Sequence, residues 1–160
     1  FFKTMFPETK LYIFGVNPDK LQDFTFADAT FTVEHIPEDV KIDHAFECVG
    51  GAASQSAIDQ IIDHIQPEGT IGLLGVSEYP VPINTRMVLE KGLRLYGSSR
   101  SGRSDFVKTV ELYQSHPEIV NYLDAIVGAR IEVRSMADMV RAFEMDIHKS
   151  MGKTIMHWMQ

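Results

Sequence analysis

Four glycine positions fall where apolar runs stop. Gly15 follows "LYIF", Gly50-Gly51 follows "HAFECV", Gly75 follows "TIGLL" and Gly97 follows "LRLY". Glycine at a strand end permits a sharp turn and lets a bulky ligand approach the backbone. In an open parallel sheet the carboxyl ends of the strands line one edge, where ligands settle in the crevice. Any one of these glycines is explained as a turn, whereas four along one edge point to a ligand. In "LYIFGVNPDK" the place of a ribose-holding carboxylate is taken by Gly15. An acid there would accept hydrogen bonds from a ribose diol and repel a phosphate on it, and glycine removes both effects. Asn17 is a good helix cap and Pro18 suits the first helical position, so a positive helix end is expected near Gly15. Lys20 adds a cation, while Asp19 works mildly against an anion. The chemistry these residues suit is recognition of a phosphate-bearing ribose.

The other reactive side chains are less informative. Cys48 precedes a strand-end turn and reads either as a reactive thiol or as packing. His35, His44, His64, His116, His148 and His157 show no metal-ligand spacing with it. Arg100 and Arg103 bracket Ser101-Gly102 and form either a phosphate grip or a solvated basic loop.

The elements that must position these residues alternate short apolar runs with helix-period segments, which predicts an α/β fold with a parallel sheet. Strands are expected at Leu11–Phe14, Phe31–Val33, His44–Val49, Thr70–Leu74 and Leu93–Tyr96. A helix is expected at Ala52–Gln66, with Ala57, Ile58, Ile61, Ile62 and Ile65 at helical spacing and Pro67-Glu68-Gly69 ending it. The runs at 44–49 and 70–74 lack strict alternation, as expected of strands covered on both faces. Beyond Tyr96, Ser104 or Asp105 opens a helix bearing Phe106, Val107, Val110 and Tyr113, and His116-Pro117 opens a short one. A strand at Ile126–Val133 kinks near Gly128. Ser135 and Asp138 resemble a capping box for a helix whose buried stripe is Met136, Met139, Val140, Phe143 and Ile147. Lys153–Trp158 is a final strand.

At 160 residues the chain is about one domain, with ordinary 44% hydrophobic content. Fifteen basic against twenty-two acidic residues give a net charge of −7, which argues against a nucleic-acid or membrane-surface binder. No apolar run is long enough to span a bilayer. One cysteine excludes an internal disulfide and makes a cytoplasmic setting the expectation. The apolar start Phe1-Phe2-Lys3, without methionine, reads as a cut inside a helix of a longer protein.

"HAFECVGGAASQSAIDQIIDHIQPEGTIGLL" followed by Gly75-Val76, "LEKGLRLYGS" and "MADMVRAFEMDIHKSMGKTIM" together resemble the medium-chain zinc-dependent alcohol and polyol dehydrogenases. Within them, "MFPETKLYIFGVNPDKLQDFTFADAT" and "VPINTRMVLEKGLRLYGSSRSGRSDF" are most similar to bacterial ribulose-5-phosphate (ribitol-5-phosphate) enzymes. The resemblance implies a truncated Rossmann-like parallel sheet lacking its first strand and Gly-rich turn, over residues 1–102. A C-terminal helix–strand segment, residues 103–160, would return toward a missing catalytic domain. It implies NADPH-dependent reduction of D-ribulose 5-phosphate to D-ribitol 5-phosphate, for CDP-ribitol and teichoic acid or capsule synthesis. Zinc and its ligands would lie only in the missing N-terminal part, and this stretch alone would be inactive. Residue by residue, Gly15, Asn17 and Lys20 would meet the adenosine ribose. Cys48, Val49, Gly50 and Gly75 would lie along NADP, with Cys48 as packing, and Val76 and Ser77 near the nicotinamide. Tyr96 would contact the carboxamide, and Arg100 and Lys153 the phosphates. A homodimer or tetramer through residues 80–97 is also implied, with Val81, Ile83, Met87 and Val88 as its apolar surface. A cytidylyltransferase is a further expected partner. Competing readings are another polyol or alcohol dehydrogenase, a non-catalytic NADP(H)-binding module, and a methyltransferase-like domain, against which Gly15 argues.

Overall fold

Helices and strands alternate along most of the described residues. In order they are α1 (Phe2–Met5), β1 (Tyr12–Gly15), α2 (Pro18–Leu21), β2 (Ala29–Thr32), β3 (Ile42–Glu47), α3 (Ser54–His64), β4 (Ile65–Leu73), α4 (Thr85–Lys91) and β5 (Arg94–Gly97). Then come α5 (Arg103–Ser115), α6 (Ile119–Leu123), β6 (Val127–Val133), α7 (Met136–His148) and β7 (Lys153–Trp158). The computed structural model describes residues 1–148 and 152–159; Lys149, Ser150 and Met151 of the closing stretch, and Gln160, lie outside them. The chain divides into two units, Glu8–Arg100 and Phe1–Pro7 with Ser101–Gln160. All strand pairing among the described residues is parallel, as the alternation of strands and helices predicts.

The first unit holds two sheets, β1–β2 and β3–β4–β5. Phe14 stacks on Phe31 at 5.4 Å between ring centroids, joining β1 to β2. In the larger sheet, α3 presents Ile58 and Ile62 to Ile65, Ile71 and Leu93, and these five form the buried core. Each such aliphatic side chain removed from water contributes roughly 1.5–3 kcal/mol. Lys91, the last residue of α4, donates from Nζ to the carbonyls of Ile62, Asp63 and Ile65 at 2.6, 2.9 and 3.1 Å. It thereby caps the carboxyl end of α3, where the helix dipole favours a cation.

Several expectations are corrected. Among the described residues, the strands at 44–49 and 70–74 are covered on one face only. Ile71 is 0% exposed on the α3 side, whereas Phe46 and Tyr96 on the opposite face are each 47% exposed. The reason is that the core-facing side chains of α3 and α4 all meet the Ile71 face of the sheet. Pro67-Glu68-Gly69 does not end the helix, because α3 stops at His64 and β4 starts at Ile65. The turn survives as a loop-out inside β4: Ile42 pairs with Ile65 and His44 with Thr70, and Glu68 takes a φ of 63°. Val81, Ile83, Met87 and Val88 pack in part against the core cluster and stay partly exposed.

In the second unit, α7 lies on the parallel pair β6–β7, whose register shifts between Val127 and Ala129, at the expected kink. The capping box forms. The Asp138 amide donates to Ser135 Oγ at 3.3 Å, and Asp138 Oδ2 accepts the Ser135 amide at 3.0 Å. The Ser135 hydroxyl, and after it the Arg134 amide, hold the Asp138 carboxyl below its ordinary range. Of the expected stripe, Met139 is partly buried, whereas Met136, Val140, Phe143 and Ile147 are exposed by 52 to 76%. Ala142 is the fully buried residue of α7, and it lies on a different face of the helix from that stripe. A two-stranded sheet covers one side of a helix only. Pro117 stays in the turn before α6 rather than at its first position.

Candidate functional site

The carboxyl ends of β3, β4 and β5 are level, because Glu47 pairs with Leu73 and Leu73 with Gly97. Two turns leave this edge: Cys48–Gly51 after β3 and Leu74–Ser77 after β4. Glu47 joins them. Its side chain is 2% exposed, and Oε1 accepts the amides of Val49 and Gly50 at 2.9 and 2.8 Å. Oε2 accepts the amide of Gly75 at 3.1 Å, an N–H it shares with Glu47's own main-chain carbonyl at 2.9 Å. The Gly51 amide donates to the Val76 carbonyl at 2.8 Å, and Ser77 Oγ to the Gly51 carbonyl at 3.3 Å. A charge out of water is tolerated only when hydrogen bonds replace its hydration, and three amides do so here.

Glycine is required at two of these positions. Gly50 has a φ of +65°, and a Cβ there would sit 2.7 Å from the Val76 carbonyl oxygen. A Cβ on Gly75 would collide with the Glu47 carboxylate and the Gly50 amide. With the turn amides directed inward, the side chains shown to solvent are apolar: Val49 is 61% and Val76 86% exposed. Such a surface suits a flat, weakly polar ring better than a phosphate, since the N–H groups of Val49, Gly50, Gly51 and Gly75 are already occupied.

The structure therefore brings Cys48, Val49, Gly50, Gly75, Val76 and Ser77 together. Burial, and secondarily the Glu47 charge, push the Cys48 thiol above its ordinary pKa. Cys48 is exposed, and a protonated thiol is a poor nucleophile, which argues against the reactive role. Tyr96 lies in the same sheet beside Gly72, one residue before the edge. Arg100 is exposed, with a left-handed φ of 66°. Lys153 is the exposed first residue of β7, in the other unit.

Gly15 ends β1 in the separate sheet, paired with Thr32, and Leu21 Cδ2 would lie 3.2 Å from a Cβ placed on it. The expected positive helix end beside it is weaker than the sequence suggests. α2 is a single turn, and Asn17 Oδ1 already accepts the amides of Asp19 and Lys20 at 2.9 and 3.2 Å. Lys20 itself is exposed. The residue that sequence reasoning passed over is Glu47. An acid as the last residue of an apolar strand, just before Cys-Val-Gly-Gly, was the available signal.

The family model described as "Zinc-binding dehydrogenase" matches residues 10–115. The chain belongs to the zinc-binding dehydrogenase family. It is 56% identical over 156 residues to the ribulose-5-phosphate reductase of Bacillus spizizenii, covering 98% of this chain and 46% of that protein. It is equally 56% identical over 156 residues to ribulose-5-phosphate reductase 2 of Staphylococcus aureus, with the same coverage of both. The crystal structure of S. aureus TarJ in complex with NADPH superimposes with a TM-score of 0.96 at 52% identity, over 99% of this chain and 50% of that one. The L-idonate 5-dehydrogenase of Escherichia coli, at 17% identity and a TM-score of 0.72 over 92% of this chain and 42% of that one, shares the fold. The chain thus spans about half the length of the relatives it matches. The family description implies zinc, but no group of three or more His, Cys, Asp or Glu among the described residues could hold a metal ion. These residues do not fit a zinc centre.

Proposed function

We propose that this chain is the cofactor-binding part of an oxidoreductase that reduces D-ribulose 5-phosphate to D-ribitol 5-phosphate with NADPH. The observation that carries the reading is the Glu47-tied pair of turns at a parallel sheet edge, in a chain 56% identical over 98% of its length to ribulose-5-phosphate reductases. NADPH, when bound, supplies the hydride. The chain's own residues supply position. Val49 and Val76 form an apolar wall for the nicotinamide side, with Cys48, Gly50, Gly75 and Ser77 holding the wall's backbone. Tyr96 offers carboxamide contacts, and Gly15, Asn17 and Lys20 accommodate the adenosine ribose and its phosphate. Arg100 and Lys153 are the candidate phosphate cations. Zinc and the proton relay belong to residues outside this chain.

A homodimer, or a tetramer of such dimers, through residues 80–97 is part of the proposal. Its support is the edge position of β5 in the order β3-β4-β5, from which a sheet can continue across a two-fold axis. A cytoplasmic setting is proposed with it, and so is a cytidylyltransferase partner that would take the ribitol 5-phosphate toward CDP-ribitol.

The test uses the full-length polypeptide carrying this chain, with D-ribulose 5-phosphate and either NADPH or NADH, followed by reduced-cofactor absorbance. Turnover favouring NADPH by about tenfold or more, roughly 1.4 kcal/mol, is expected. Unphosphorylated ribulose reduced as fast would overturn the substrate assignment. Tight NADPH binding without reduction of any ketose would point to a non-catalytic binding module.

A further inference from the structure

A buried carboxylate is a costly way to fill a strand end, and an aliphatic side chain would do so without the desolvation penalty. Glu47 shares a sheet face with the apolar Ala45 and Ile71 and pairs with Leu73, and its hydrogen bonds run to backbone amides of two turns, Gly75 lying 28 residues along the chain from it. Two oxygens serve three donors on two segments, so neither turn can shift without breaking a charge-assisted bond. The bonds between Gly51 and Val76 and between Ser77 and Gly51 tie the same two turns.

We infer that Glu47 is the positioning residue of the cofactor wall: its carboxylate sets the separation of the 48–51 and 74–77 turns before any cofactor arrives. The inference rests on the proposal that NADPH lies along these turns. Glu47 touches neither cofactor nor substrate in this role; it acts through the backbone. Pre-set turns lower the ordering that binding would otherwise require. The carboxylate also leaves the Val49, Gly50 and Gly75 amides with no free N–H to offer a phosphate, which assigns this wall to the less polar part of the cofactor.

Glu47→Gln is the discriminating variant. An amide has one acceptor oxygen, so its NH2 must face an N–H of one turn, and that turn is displaced. In the full-length protein, assayed well below the variant's unfolding temperature, NADPH Kd and KM should rise on the order of tenfold. The KM for the sugar phosphate should change less than about twofold, a split that general destabilisation does not produce. A folded variant with wild-type NADPH Kd, in a protein whose wild type binds NADPH, would overturn the positioning role and leave the cofactor reading standing. A wild type that does not bind NADPH would overturn both.

Amide hydrogen exchange on the wild type keeps the inference testable if the variant does not fold. The amides of Val49 and Gly50, which donate to the Glu47 carboxylate, should be protected without cofactor and change little on adding NADPH; Gly75, held also by the Glu47 main-chain carbonyl, serves as the control. Free exchange that slows only when NADPH is added would show that the cofactor, not Glu47, orders the turns.

Discussion

The amide of Gly75 donates to Glu47 Oε2 at 3.1 Å, and the space between the two residues leaves no room for a methyl group on Gly75. Gly75→Ala must push the carboxylate or the Gly50 amide aside. Overpacking of this kind costs about 1–3 kcal/mol. Urea denaturation should show that loss with an unchanged m-value, and a wild-type midpoint would mean the two turns are not held as described.

Lys91 fills a different structural need, far from the edge turns in sequence. Its ammonium serves three carbonyls at the end of α3. Lys91→Met keeps the stem and removes the donors, leaving those carbonyls to water where they can reach it. A loss of about 1–3 kcal/mol is expected by chemical denaturation. Lys91→Arg should recover part of it, since the charge remains at the helix end.

Gly15 can be tested for charge and size separately. Gly15→Ala places a Cβ 3.2 Å from Leu21 Cδ2, a flexible end that can move slightly, so cofactor preference should stay as in the wild type. Gly15→Asp adds a carboxylate that repels a ribose phosphate and accepts from a ribose diol. In the full-length protein the NADPH/NADH ratio of kcat/KM should fall by about tenfold or more. An unchanged ratio in Gly15→Asp would remove Gly15 from the cofactor argument.

The raised Cys48 pKa carries a sign. The folded protein holds the thiol proton above the pH at which the unfolded chain releases it, about 8.5. The unfolded state then binds fewer protons, so stability falls as pH rises from about 8.5 toward the folded value. Cys48→Ser should flatten that decline in a denaturation series across alkaline pH. Iodoacetamide should also modify Cys48 in the folded protein more slowly than an unperturbed thiol at the same pH.

Helix and strand placement was legible because it depends on short-range patterns. Ile58 and Ile62 repeat at helical spacing and are buried, and Ser135 with Asp138 announced the cap of α7. Where the sequence misled, the missing information was what covers a face. Met136, Val140, Phe143 and Ile147 have the same periodicity as a buried stripe, yet β6–β7 takes another side of the helix. Val81 and Met87 are half-covered by the chain's own core, which periodicity alone cannot distinguish from free surface.

The sequence by itself determined the parallel α/β alternation, the glycines at the strand ends and the absence of an acid at position 15, all of which reside in residue type and local spacing. Only the tertiary structure decided that Glu47 binds two turns into one wall. Its partners Val49 and Gly50 are near neighbours, but Gly75 is 28 residues away and arrives through the pairing of β3 with β4. A carboxylate's meaning depends on which amides surround it, and long-range strand register is what brings them there.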